Sequence, residues 1–201
     1  MARPTARAVA SLALLTVFLA CRSKPAGPNI PALINDLQNP DPAVSGKANL
    51  ELIRIGEPAV PPLIEMLKSE DVRLRTLAAT ALWGMGEKGR AAVPALASLL
   101  GDREASVRLA AAMALENMGP DAAAAVPALI PALRDRDGKV RQWAAKALGK
   151  IGPAAEKAVP ALARAAKTEG IQQAAEEAIR RIRGHQPSEQ QPSAQPSPPA
   201  E

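Results

Sequence analysis

The sequence predicts an all-α fold, a solenoid of about five stacked helical hairpins. Three observations carry that expectation. First, a short pattern returns at a constant step: Val60-Pro61-Pro62-Leu63, Val93-Pro94-Ala95-Leu96, Val126-Pro127-Ala128-Leu129 and Val159-Pro160-Ala161-Leu162 are each 33 residues apart. A weaker copy, Ile30-Pro31-Ala32-Leu33, lies 30 residues before the first of them. A constant step with self-similar content marks stacked units. Second, apolar residues such as Val60, Leu63, Ile64 and Leu67 recur at i, i+3, i+4 and i+7, the spacing of a helix with one buried stripe. Third, the 201 residues include no Tyr, one Phe and two Trp. An Ala-rich chain so poor in aromatics fills thin layers of closely spaced helices rather than a wide core.

Five units follow, at 30–59, 60–92, 93–125, 126–158 and 159–184. Each should hold a first helix, a turn, a second helix and a glycine-containing turn. The first helix of units two to five opens at the Val-Pro pair and runs to about Lys68, Leu100, Arg134 and Lys167. Proline suits that end because the N–H it lacks would have no partner there. The Val or Ile before it is a poor N-cap, so the local residues offer no acceptor for the opening amides. An acid stands before each of the first four second helices (Asp41, Asp71, Glu104, Asp137), where a carboxylate suits the positive end of the helix dipole.

The second helices are the best-defined elements. A 3.6-residue wheel places Val140, Ala144, Ala147, Leu148 and Ile151 on one face of unit four. The matching faces are Leu74, Ala78, Ala81, Leu82, Met85 and Val107, Ala111, Ala114, Leu115, Met118. Gly56, Gly86, Gly119 and Gly152 follow these helices where a left-handed residue is expected. Unit one (Ser45, Gly46, Lys47) and unit five (Gln172, Gln173, Glu176) are more polar here, as the end units of an array should be.

The combination Val-Pro-Ala-Leu, then Asp-x-x-Val-Arg, then Ala-Ala-x-Ala-Leu-x-x-Ile-Gly resembles HEAT repeats of the phycobilisome-lyase-like type across about residues 30–184. The resemblance implies a right-handed α-solenoid. It also implies that the Arg after the Val joins a structural ladder, bonding to acids or carbonyls of neighbouring layers. That role falls on Arg75, Arg108 and Arg141, with Ser45 and Gln172 departing in the end units. HEAT-like arrays serve many functions, so the resemblance specifies architecture and leaves activity open.

Ahead of the repeats, Arg3 and Arg7 precede an uncharged run from Ala8 to Ala20. The run is too short for a membrane span of about 20 residues, so 1–20 reads as a signal peptide. Leu19-Ala20-Cys21 resembles the bacterial lipobox, with Phe18 in place of the usual Leu. The resemblance implies cleavage before Cys21, lipidation of Cys21 and attachment to the membrane through that lipid. Arg22, rather than Asp, after the cysteine favours the outer membrane and its periplasmic face. Residues 21–29 read as a spacer, and 185–201, rich in Pro, Gln and Ser, as a disordered tail.

Little points to catalysis. The single His, His185, lies in the tail without a ligand-forming neighbour, and the single Cys offers neither a disulfide framework nor a thiolate cage. P-loop, dinucleotide and nucleophile-elbow motifs are missing. No catalytic residue, cofactor or metal is expected. The net charge of +5 falls to +3 once Arg3 and Arg7 are set aside, and its basic residues are scattered, which disfavours nucleic acid. What is left is a surface for a protein partner. The side of the second helices away from their apolar stripe carries Arg73, Thr76, Thr80 and Trp83, then Leu109 and Met113, then Lys139, Gln142 and Lys146 with Trp143 on the border. The sequence leaves open whether Trp83 and Trp143 are exposed or packed between units. The expected function is a non-enzymatic envelope lipoprotein whose solenoid is a protein-binding scaffold. The alternatives are a structural spacer without a specific ligand and a lyase-type accessory enzyme.

Overall fold

A computed structural model describes residues 28–184. The expected signal peptide at 1–20, Cys21 with the expected spacer through residue 27, and the expected tail at 185–201 lie outside the described residues. Those residues form five helical hairpins: α1 (Ile30–Leu37) with α2 (Pro42–Ile55), α3 (Val60–Met66) with α4 (Val72–Met85), α5 (Val93–Leu99) with α6 (Ala105–Met118), α7 (Val126–Ala132) with α8 (Gly138–Ile151), and α9 (Val159–Ala165) with α10 (Gln172–Ile182). The fold is an all-α solenoid.

The first helices are slightly shorter than expected because their last turn tightens. Lys68, Arg134 and Lys167 donate to the carbonyls three residues back, those of Glu65, Pro131 and Arg164. Such i→i+3 bonds end a helix early. The unexplained opening amides also find their partners. Each of α3, α5, α7 and α9 is entered from a 3-10 segment (Glu57–Ala59, Gly86–Ala92, Gly119–Ala125, Gly152–Ala158). The N–H groups of Val60, Val93, Val126 and Val159 donate to Glu57, Arg90, Ala123 and Glu156 carbonyls within those segments. Backbone already coiled before the helix replaces a side-chain cap.

Two sequence expectations at the turns need correction. Asp41, Asp71 and Asp137 do cap α2, α4 and α8, accepting amides two residues on at 2.9, 2.7 and 2.8 Å. Glu104 makes no cap bond. Asp102 Oδ1 accepts the Glu104 amide at 2.9 Å, as Asn39, Ser69 and Asp135 accept the matching amides in the other turns, so α6 has the turn without the cap. At the far ends, Gly56, Gly86, Gly119 and Gly152 have φ of 54–74° but ψ between −129 and −141°. That is the mirror image of extended backbone, not the left-handed helical region. Only glycine enters it readily, so even Asn, which tolerates the left-handed region, would be strained there.

Packing follows from the second helices, which stack neighbour on neighbour, each also packed against its own first helix. The stripe predicted for unit four is buried, as is that of unit three. Ala79, Ala112 and Ala145 lie outside the predicted stripe, yet they too are fully buried. A middle helix touches the layers on both sides, and α6 is accordingly buried around most of its circumference, whereas the end helix α2 buries only Ala48 and Leu52. Small side chains permit this spacing. Between α8 and α10 even alanine is too large at one point, since a Cβ on Gly149 would lie 2.9 Å from the Ala178 Cα.

Candidate protein-binding face

The helical period carries Thr76, Thr80 and Trp83 along one side of α4, facing Leu109 and Met113 on α6. These five residues, with Ser106 and Ala110, line a groove of about 270 Å³. Trp83 is 40% exposed, a large share for so apolar a side chain. Thr76 and Thr80 donate their hydroxyls to the Val72 and Thr76 carbonyls of their own helix, both at 2.8 Å. With the hydroxyls occupied, they present methyl groups, so the groove wall is almost wholly apolar. Asn117 Nδ2 donates to the Trp83 carbonyl at 2.7 Å and ties the end of α4 to α6. Leu50, 68% exposed, stands nine residues after its N-cap on α2, as Thr80 does on α4. The sequence reading passed over it, although the 30-residue offset between the first two units would have found it.

The other predicted residues do not join that groove. Gln142 and Lys146 line a separate cleft of about 590 Å³ with Gln172, Glu176 and Glu177 of α10. Trp143 is half-buried, with Lys146 Nζ 4.5 Å from its ring centroid. It borders a smaller groove with Glu116, Lys150, Glu177 and Arg181. Arg73 Nη2 donates to the Gln38 carbonyl at 2.6 Å, making Arg73 a tie between the first two units. Lys139 is exposed at the start of α8 and lines none of these grooves. The predicted face is therefore two surfaces, one apolar around Trp83 and one charged around Trp143.

The arginines after the Val lie elsewhere, at the turns between first and second helices. Arg75 Nε and Nη2 donate to both oxygens of Asp102, at 2.8 and 3.1 Å. Its Nη1 donates to the Ser69 and Glu70 carbonyls. Arg108 repeats the arrangement on Asp135 at 2.7 and 2.8 Å, and on the Asp102 and Arg103 carbonyls. Both pairs are largely shielded, with side-chain exposures of 13% and 9% for the first and 5% and 10% for the second. Burial by itself would raise the pKa of Asp102 and Asp135. The bonds from Arg75 and Arg108, and from the Glu104 and Asp137 amides, outweigh it and hold both below the usual carboxylate value. Bonding to Asp135 outweighs desolvation at Arg108 and raises its pKa. Arg141 keeps the carbonyl contacts, to Asp135 and Arg136, without a carboxylate. In unit five the position matching Arg141 is Ala175 rather than Gln172, because the turn before α10 is one residue longer. Ala175 donates to the carbonyl of N-cap Ile171 as Arg141 does to that of Asp137.

Among the described residues no group of three or more His, Cys, Asp or Glu side chains could hold a metal ion. No described helix is long and apolar enough to cross a membrane.

Stacked hairpins, buried rungs between layers and grooves along the second helices define a helical-repeat solenoid. The chain belongs to the HEAT repeat family, which it matches over residues 30–116 and 93–180. It is similar to a chain of the CpcE–CpcF complex of phycocyanin lyase from a Nostoc species, with 20% identity over 74% of this chain and 96% of that one, at a TM-score of 0.64. A designed armadillo repeat protein solved with a (KR)4 peptide is 19% identical over 75% of this chain and 80% of its own, at 0.59. An engineered protein is 25% identical over 78% and 80%, at 0.58. No curated protein matches the chain. HEAT and armadillo-like repeats are in general protein-binding scaffolds.

Proposed function

We propose that this chain is a non-enzymatic lipoprotein of the bacterial envelope whose solenoid holds an apolar anchor of a partner protein in the groove beside Trp83. The observation that carries the reading is the groove itself: Trp83, Leu109 and Met113 stand together, partly exposed, with the two threonine hydroxyls turned into their own helix. An exposed tryptophan in such a setting has the character of a binding hot spot. The groove volume suits one or two large side chains of a partner. Five layers at about 8–10 Å spacing give roughly 40–50 Å of surface around it. Support for export and anchoring comes from Leu19-Ala20-Cys21 behind its short apolar run.

The test is a photo-reactive residue at Thr80 in the full chain, expressed in its native cells. A discrete protein adduct should form and should disappear in Trp83→Ala while circular dichroism shows the helices unchanged. The same adducts from a probe at Lys139, or none from Thr80, would defeat the reading. Separately, Cys21→Ser should release the chain from membranes; continued sedimentation with them would remove the lipid anchor from the proposal.

A further inference from the structure

The third rung of the arginine ladder is built on one side only. Arg141 sits four residues after the N-cap of α8, as Arg75 and Arg108 do on α4 and α6. Its Nη1 donates to the Asp135 and Arg136 carbonyls at 2.8 and 3.3 Å, repeating the carbonyl contacts of the two arginines before it. The other edge of the guanidinium, Nε with Nη2, is the edge on which Arg75 and Arg108 each hold both oxygens of an aspartate. In both closed rungs that aspartate lies 27 residues further along the chain. For Arg141 the corresponding residue is Thr168. The backbone there is equivalent: Asp135 donates its amide to the Ala132 carbonyl at 3.1 Å, and Thr168 donates its own to Ala165 at 2.9 Å. Thr168 brings no carboxylate, and the turn that follows it is one residue longer.

The consequence is chemical. Arg141 Nε is buried and finds no acceptor among the described residues. A buried donor on a charged group is disfavoured without a partner, and the flat edge of a guanidinium fits the two oxygens of a carboxylate. Arg141 also lines a cleft of about 950 Å³, together with Ile130, Pro131, Arg134, Arg164 and Thr168. Arg134 and Arg164 are exposed and add positive charge. Ile130 and Pro131 give an apolar wall, and Asp135, the acid in the lining, is already held by Arg108.

We propose that Arg141 and this cleft bind an aspartate or glutamate presented by a partner protein on a turn, the carboxylate sitting as Asp102 and Asp135 sit in the closed rungs. The site is separate from the Trp83 groove and does not depend on the reading given to it. A polypeptide source follows from the cleft, which has room and apolar wall for several residues around the acid. It follows also from the closed rungs, where the aspartate arrives on a turn that accepts the amide two residues on, at 2.9 Å for Asp102 and 2.8 Å for Asp135.

The experiment follows the arginine Nε–H signals of the full-length, 15N-labelled chain by NMR, with Arg75 and Arg108 as internal references. The probe is the blocked pentapeptide Leu-Leu-Gly-Asp-Arg, which copies residues 99–103 and carries one acid. It should move the Arg141 signal saturably towards the two references while leaving them in place. Its Asn counterpart should bind at least about tenfold more weakly, the loss of one charge-assisted contact. Thr168→Asp should move the Arg141 signal without peptide and weaken the peptide at least about tenfold, because the chain then supplies its own acceptor. An unmoved signal with the aspartate peptide, or an equal response to the asparagine peptide, would overturn the proposal. Acetate or inorganic phosphate giving the same shift at the same concentration would overturn it too, leaving a generic anion site. A wild-type signal already beside the references that moves away in Glu189→Gln or Glu201→Gln would make the carboxylate the chain's own, and the partner would drop out.

Discussion

Arg75, Arg108 and Arg141 occupy one register in three successive layers, yet only the first two meet a carboxylate. All three follow a Val or Leu on a second helix and all three cross back to two carbonyls of the preceding turn. The difference is made 27 residues away, where Asp102 and Asp135 give way to Thr168. A residue's role in a solenoid is thus set by the neighbouring layer as much as by its own helix. The closed rungs clamp layers together, and the open one leaves a guanidinium available.

Substitutions at this register should separate the rungs by size. Arg108→Ala has the largest effect because it strands Asp135 in a buried site; a loss of about 3–5 kcal/mol in urea unfolding is expected. Arg75→Ala should follow at about 1.5–3 kcal/mol, the worth of hydrogen bonds to a charged group, its pair being a little more exposed. Equal effects for Arg75 and Arg141 would mean that the carboxylate adds nothing to a rung.

Acid provides a second means of separation. Asp102 and Asp135 are held below the usual carboxylate pKa, so their pairs contribute fully above the unfolded value of about 4. That contribution is lost as pH falls through the lowered folded values. Thermal midpoints followed from pH 6 to 2 should therefore drop over the acid range, and Arg108→Ala should show a shallower drop because Asp135 has lost the guanidinium that lowered its pKa. A parallel profile would mean that other carboxylates carry the acid sensitivity.

The smallest effect belongs to Arg141→Ala, about 1 kcal/mol for carbonyl contacts alone. Thr168→Asp sharpens the comparison by copying the second rung into the third. In that background, removal of Arg141 should approach the penalty seen at Arg108, and a double-mutant cycle should report coupling between the two positions. Additive effects would show that Thr168 does not face the guanidinium as Asp135 does.

Much of this molecule was legible beforehand, and the reason is periodicity. The Val-Pro copies locate every first helix from α3 onward, and the wheel through Val140 to Ile151 identifies a face that is buried. Trp83, Leu109 and Met113 fall on one side of their helices by the same arithmetic, and adjacent helices bring them into one groove. Arg73 and Trp143 share that side but not its surroundings. One is taken by the Gln38 carbonyl, and the other is half-covered at the junction with α10. Helical spacing gives the direction of a side chain; it does not give what the next layer places in front of it. Glu104 illustrates the same limit at a turn, where the sequence position of a cap is filled but no cap bond forms.

Sequence by itself determined the hairpins, their order and the faces they bury, because those depend on spacing within one helix and on the glycine and proline at its ends. The tertiary structure decided which rungs close, which groove is apolar and how tightly α8 meets α10, because each of these depends on atoms supplied by a layer about thirty residues away. A guanidinium is bound or available according to its neighbour's side chain, and that pairing exists only once the layers have stacked.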